Sequence, residues 1–386
     1  MRAAINTLLV LTTFFVFIAC KHDHVNGSEK TEKHDLIPDT TLKYAKLFSI
    51  SLGYDFKVIH FYGEKGKTDT TANFIVYKGN KPQLNLPNSF YVKVPCSRII
   101  SLSSIYSSML TELNGVDKLI AIENKDYYSN EAILKKINEG KIVEVQRSNE
   151  LDKEKVLSLK PDVIFAFGMG RSQGDFDAKI LQSGIPVVVS IDHLEKTPLA
   201  RAEWIKFFAQ FIDRSKEADK LFAGVEKNYN ELITLAQTYT NQPTVFTELK
   251  FGDTWYVPGG KSFMAQLIND ANGTYLWKED TLSGSLPLSF EAVYKKANSA
   301  DLWLNVSMCH KLSEMLQQDN RYADFKAFRE KMVYNNNLHS NALNYSTYWE
   351  TGLIYPDRIL SDLIKLFHPA SVDSLGANMY YYKAVN

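Results

Sequence analysis

The stretch Trp255-Tyr-Val-Pro-Gly-Gly-Lys261-Ser262 holds the chain's nearest approach to a catalytic signature, because Gly-Gly-Lys-Ser is how a phosphate-binding loop ends. Such a loop needs another glycine five positions before the one that precedes Lys, so that successive backbone N–H groups wrap the phosphates. That position holds Trp255, so the pattern fails and this is not a nucleotide loop. What remains is a Pro-Gly-Gly turn behind an aromatic pair, leading into an apolar helix. Bare zinc or manganese would need three or four converging His, Asp or Glu ligands. His60, His193, His310, His339 and His368 are scattered, which fits structural histidines better. The chain has no H-E-x-x-H, no G-x-S-x-G elbow and no dinucleotide fingerprint. The expectation is binding without turnover, not an enzyme. A zinc- or manganese-binding protein and a two-lobed α/β enzyme are the alternatives.

Composition narrows the partners. Lys plus Arg and Asp plus Glu both total 44, an even balance that argues against nucleic acid. The 21 Tyr and 22 Phe suit a large core and a site that grips a flat or greasy ligand. At 386 residues there is chain enough for two or more cores.

The elements that must position a site follow from patterning. Residues 1–20 read as an export signal, with Arg2, an apolar run from Leu8 to Ala19 that is too short for a membrane span of about 20 residues, and then Cys20. Ala19-Cys20 resembles a bacterial lipoprotein processing site, with Phe17 where that site usually has Leu, so Cys20 is the expected lipid anchor. Residues 21–41 form a polar tether. Cys96 and Cys309 are then two buried thiols. Residues 42–94 carry "FKVIHFY", "TANFIVY" and "SFYVKV", a β-rich extension. From 95 to 196 short apolar runs alternate with helices, an α/β lobe with parallel strands. Thr197-Pro198 opens an interlobe helix over 197–240, or two helices in series around Asp213. The α/β pattern resumes over 241–370, and 371–386 is a C-terminal tail.

The second lobe repeats the first. "LDKEKVLSLKPDVIF" (151–165) matches "LSFEAVYKKANSADLWL" (288–304), pairing Asp152 with Ser289 and Glu154 with Glu291. "MLTELNG" (109–115) matches "FMAQLINDANG" (263–273), each with an Asn-Gly stop. The fold class is therefore α/β: two Rossmann-like lobes with central parallel sheets, joined by a long α-helix, plus the β-rich extension. Such a build puts the ligand in the cleft, where loops leave the strands.

From about Pro95 to Pro369 the chain resembles the periplasmic-binding proteins of iron–siderophore, haem and cobalamin ABC importers, the class with a helical backbone between lobes. "RIISLSS", "ELNGVDKLIAI", "EKVLSLKPDVIFAFG", "YVPGGKSFMAQLINDANG" and "LIYPDRILSDLIKLFHP" carry the resemblance, and "PLARAEWIKF" with "NALNYSTYWETGLIYPD" looks like the branch of Bacteroides-type lipoproteins. The resemblance implies a monomer, without a resident cofactor, that captures a small-molecule metal chelate or cobalamin and delivers it to a permease dimer with its ATPase. It implies an exported protein held to a membrane by lipid, in the periplasm or on the outer-membrane surface.

By motif, Glu154 and Glu291 are the acidic tips that meet the permease, a contact that sets orientation more than affinity. "VPGGKSF" resembles the cleft-facing turn of the second lobe, with Gly259 and Gly260 letting backbone approach ligand and Lys261 or Ser262 offering hydrogen bonds. Ser103, Ser104, Tyr106, Tyr127, Tyr128 and Met169 would face it, and Trp255, Tyr256 and Trp349 would complete an aromatic cage. Arg171, in a Gly-rich turn past a buried strand, can reach a carboxylate or catecholate oxygen and favours an anionic ligand, a ferric siderophore or a haem propionate. A neutral corrinoid would lean on the aromatics.

Overall fold

Alternating apolar residues build the first sheet. In the computed structural model, which describes residues 36–147, 150–169 and 176–386, it consists of β1 (Ile37–Pro38), β2 (Phe48–Leu52), β3 (Phe56–Gly63), β4 (Gly66–Tyr77) and β5 (Ser89–Lys93). The strands lie in sequence order, antiparallel up to β4 and parallel at the β4–β5 pair. The signal peptide, Cys20 and most of the expected tether lie outside the described residues.

The first lobe comprises β6 (Ile99–Leu102), α1 (Ser104–Glu112), β7 (Leu119–Ile122), α2 (Glu131–Asn138), β8 (Val143–Glu144), the ribbon β9 (Gln146–Arg147) and β10 (Glu150–Leu151), α3 (Lys153–Ser158), β11 (Val163–Phe167), α4 (Ala178–Leu181) and β12 (Val187–Ser190). Its main sheet runs β12-β11-β6-β7-β8, all parallel. Val163 to Ala166 are buried without alternation, as befits a strand covered on both faces.

The segment expected as one interlobe helix, or two, is three: α5 (Pro198–Ala202), α6 (Ile205–Phe211) and α7 (Ser215–Ala236). The second break falls at Asp213, whose φ is +56°. The first goes with burial, since every residue of α6 is buried, Lys206 and Gln210 included, and the helix turns into the core. The N-terminal sheet covers one side of it, with Phe48 5.0 Å from Trp204 and Phe74 6.4 Å from Phe207. The first lobe covers the other, with Phe165 5.0 Å from Phe208 and 5.1 Å from Phe211. The extension is thus part of the main core.

The second lobe comprises β13 (Thr244–Thr247), β14 (Lys250–Phe251), β15 (Thr254–Pro258), α8 (Phe263–Asp270), β16 (Thr274–Tyr275), β17 (Ser285–Leu288), α9 (Phe290–Ala297), β18 (Leu302–Leu304), α10 (Leu312–Gln318), α11 (Lys326–Arg329), β19 (Val333–Asn335), α12 (Thr347–Thr351), α13 (Pro356–Phe367), α14 (Val372–Leu375) and β20 (Lys383–Ala384). The main sheet runs β16-β13-β18-β19-β20, parallel except for antiparallel β20, and β14-β15-β17 form a ribbon. Residues 371–386 are therefore not a tail. Asp362, fully buried, accepts the backbone N–H groups of Tyr380, Tyr381 and Tyr382 and seats β20 as the closing strand. No helix among the described residues is long and apolar enough to cross a membrane.

The repeat has a structural counterpart. Asp152 caps α3 by accepting from Lys155 N at 3.0 Å, and Ser289 caps α9 by accepting from Ala292 N at 3.2 Å. Helices α1 and α8 both end at Asn-Gly, where Asn114 and Asn272 take the left-handed turn at φ +57° and +59°. The following glycines serve close packing: a Cβ at Gly115 would lie 2.8 Å from Ile212, and one at Gly273 2.6 Å from Phe367.

Candidate ligand-binding site

Parallel strands deliver their next residues to one edge of a sheet, and here both lobes turn that edge toward a shared cavity of about 610 Å³. From the first lobe come Leu102, Ser103 and Ser104 after β6, Glu123 and Tyr127 after β7, Gln146, and Phe167 at the end of β11. From the second come Glu248 after β13, Asn305, Ser307 and Met308 after β18, and Asn336 and Asn337 after β19. Asn344, Tyr345, Ser346 and Trp349 close one side. Contacts between lobes fix that side: Asn341 Nδ2 donates to Asp126 O at 2.7 Å, Tyr127 meets Tyr345 edge-on at 4.9 Å, and Ser129 N donates to Glu350.

Backbone strain gathers in the second-lobe wall. Glu248, Asn305, Ser307 and Asn344 have φ of +69°, +59°, +54° and +65°, a region L-residues adopt at a cost. Their surroundings hold them there. Glu248 N donates to Leu304 O and its carbonyl accepts from Trp303 Nε1 at 2.8 Å. Asn305 Oδ1 accepts from Tyr382 OH at 2.8 Å, so the closing C-terminal segment supports the wall directly. Asn335 Nδ2 donates to Ser307 O and Cys309 O, pinning the loop.

The wall's ionisable groups are acids. Burial pushes the Glu123 carboxyl up to about 8, against backbone N–H groups that include Ser104's and a 2.8 Å bond from Tyr128 OH. Burial pushes Glu248 up to about 8 as well, with the Asn305 amide opposing it. Glu350, close behind the wall, is raised to about 7 by burial. The described lining residues include no Lys, Arg or His.

The family model for periplasmic binding proteins matches residues 99–337, more than half of the sequence. The chain belongs to the periplasmic binding protein family. An uncharacterized lipoprotein of Methanocaldococcus jannaschii is 28% identical over 95% of this chain and 92% of its own length. An uncharacterized ABC transporter substrate-binding lipoprotein of Bacillus subtilis is 23% identical over 53% of this chain and 62% of its own. Solved structures that resemble it include a periplasmic haem-binding protein from Roseiflexus sp. RS-1, at 21% identity and TM-score 0.56 over 71% of this chain and 99% of that one. Another is an ABC-type Fe3+-hydroxamate transport system protein from Saccharomonospora viridis, at 15% identity and TM-score 0.53 over 71% and 94%. At these identities the likeness to solved structures is one of fold.

In this periplasmic binding protein Ser103, Ser104, Tyr127 and Trp349, four of the residues singled out from the sequence, line the cavity. Tyr106 and Tyr128 lie behind it, fully buried; Tyr106 OH donates to Asp192 at 2.8 Å, and Tyr128 orients Glu123. The turn at 259–262 does not face the cavity. A Cβ at Gly259 would fall 2.3 Å from Leu282 O and one at Gly260 2.3 Å from Asp280 O, so these glycines admit the protein's own backbone rather than a ligand. Ser262 caps α8 by accepting from Ala265 N, and Lys261 is exposed. Trp255 is buried in an aromatic cluster 5.6 Å from Trp303, while Tyr256, its neighbour on β15, faces solvent. Met169 is exposed just past Phe167 and is not a lining residue. Arg171 lies outside the described residues.

The sequence reading missed Glu123, Glu248 and the asparagines. Each follows an apolar strand run directly, in "LIAIE", "TVFTE", "LWLN" and "VYNNN". A polar residue at that position was the available signal.

Glu154 and Glu291 sit in the first turns of α3 and α9, with side chains 77% and 76% exposed. Each helix runs back along the sheet into the next parallel strand, so its first turn stands on the strand-exit edge, the edge that bears the cavity.

Proposed function

We propose that this periplasmic binding protein serves an ABC importer, exported and anchored by lipid at Cys20, and that its cleft takes a metal chelate, a ferric siderophore or haem, or else cobalamin. The observation that carries this reading is the interlobe cavity itself. It has the size of a small-molecule site and is walled by aromatics, amides and hydroxyls at strand exits. Among the described residues no group of three His, Cys, Asp or Glu converges to hold a metal ion, so a metal would arrive with its own ligands. The relatives named as lipoproteins, one of them an ABC transporter substrate-binding lipoprotein, support export, anchoring and delivery. The loaded protein would dock on a permease through Glu154 and Glu291, one on each lobe.

The test is tryptophan quenching with haem, cyanocobalamin, ferric hydroxamate and catecholate chelates, and zinc. Trp349 lines the cavity and is half exposed, so it reports occupancy. Saturable quenching by one chelate at submicromolar concentration, reduced in Trp349→Phe, is expected. A response to zinc alone would overturn the chelate reading.

A further inference from the structure

Among the described residues, the groups of this cleft that can carry a full charge are carboxyls. Glu123 and Glu248 enter the cavity from opposite lobes, and neither has a cation among the described residues within ion-pair reach. The first turn of α1 would ordinarily attract an anion to this wall, but Glu123 already occupies it through the Ser104 N–H. A second, separate feature points the same way. Asn337 is 4% exposed and lines the cavity, its Nδ2 donates to Cys309 O at 3.2 Å, and its Oδ1 has no hydrogen-bond partner. Asn337 Oδ1 thus leaves one buried acceptor beside the cavity without a donor, which is costly.

We propose that the cleft selects a ligand bearing a cationic group, an ammonium or guanidinium, seated at the acids Glu123 and Glu248. This rests on the cleft being the ligand site of an importer. A cation favours ionisation of these carboxyls and pairs with the charge that forms, whereas an anion would hold them protonated. The remaining groups around the two acids do not change this balance. Glu123 faces Tyr128, the Ser104 N–H and Glu350. Glu248 faces Asn305 and the hydroxyls of Tyr275, Tyr348 and Tyr382. Arg201, whose charge acts on Tyr348, lies 3.6 Å from Asp192. Both acids are held protonated near neutrality by burial, so a bound cation draws a proton out of the wall, and affinity for it rises with pH up to about 8.

The experiment uses the ferric complex of a linear trishydroxamate with a free ammonium terminus, its N-acetylated neutral counterpart, a ferric triscatecholate, and choline and spermidine. Affinities are read by tryptophan quenching at pH 6 and 8.5. The ammonium probe is expected to bind on the order of tenfold or more tighter than the acetylated one at pH 8.5, with a smaller margin at pH 6. Glu123→Gln with Glu248→Gln should erase the margin between the two hydroxamate probes. Calorimetry of the unaltered protein in buffers of different ionisation enthalpy gives a second measure, proton release on binding the ammonium probe at pH 7. A tighter triscatecholate, a margin that survives in the double variant, or no proton release would overturn the proposal. Silence from every ferric probe with glutamate-dependent binding of choline or spermidine would uphold the charge selection and overturn the chelate reading. Silence from all probes would overturn both.

Discussion

Two pairs of glutamates, each pair split between the lobes, live under opposite conditions. On the outer edge Glu154 and Glu291 face water beside cations, Lys179 at 2.8 Å and Arg321 at 3.3 Å. Both are held below the usual carboxylate range, Glu154 chiefly by its bond from Lys179 and Glu291 chiefly by a backbone N–H. In the cleft burial pushes Glu123 and Glu248 up to about 8. Chain position decides which: the first turn of a helix on the sheet's edge points to solvent, and the residue leaving a parallel strand points into the cleft. One pair is a fixed charge for a partner to find, and the other is a charge in reserve that a ligand can call up.

A fifth glutamate shows what full partnership does. Glu203 is fully buried, yet it accepts the N–H groups of Lys43, Tyr44 and Ala45 at 2.8–3.2 Å and lies 3.3 Å from Lys206 Nζ. It ties the entry of the N-terminal sheet to the break between α5 and α6. Glu203→Ala would leave the N–H groups of Lys43, Tyr44 and Ala45 without their shared acceptor and take one of two acidic partners from Lys206, with an expected loss of about 3–5 kcal/mol in urea unfolding. Glu123→Gln, which removes a carboxyl that burial already keeps neutral, should cost far less at neutral pH. Equal losses would break the distinction between partnered and reserved carboxyls.

The reserved pair also predicts the pH dependence of the empty protein. With folded values near 8 and an ordinary value of 4.5, the folded state binds more protons than the unfolded one between those limits. Stability is then full below about 4.5, falls as pH rises to 8, and levels off above, by on the order of 3–5 kcal/mol per group at the extreme. Thermal melts from pH 5 to 9 should show this decline. In the Glu123→Gln, Glu248→Gln variant the decline should flatten, and at pH 9 that variant should melt higher than the unaltered protein. A parallel decline in both would place the titration elsewhere.

Much of the fold was legible because it depends on local pattern. Unbroken apolar runs named the parallel strands, and the capped repeats at 151–165 and 288–304 named the two lobes. What was lost depends on distant partners. Nothing in "ANMYYYKAVN" shows that Asp362 collects three of its N–H groups, and nothing in "WIKFFAQFI" shows a sheet from the chain's own N-terminal region covering it. The site fared likewise. Trp255 and Tyr256 were read as a pair, but a strand sends successive side chains to opposite faces, so one went to the core and the other to solvent. Gly259 and Gly260 were right in needing no side chain and wrong in whose backbone needed the room.

The outer pair gives the smallest change in the purified protein and the sharpest test of the comparison. Glu154→Lys with Glu291→Lys reverses two solvent-screened charges whose helices keep their caps, Asp152 and Ser289. Melting temperature and ligand affinity should stay within experimental error, because neither residue touches the core or the cavity. Delivery should nevertheless fail in a transport assay with the cognate permease, since two positive tips would meet the surface that two negative ones are proposed to fit. Reversing only one tip separates orientation from attraction. If the two lobes register the protein on a two-fold permease, either single reversal should impair delivery to a similar degree. If one tip carries the docking alone, the singles will differ and the symmetry of the pair is only structural. A weaker ligand affinity in the double variant would mean that the edge and the cleft are coupled, and the contrast between a fixed and a reserved charge would fail at its root.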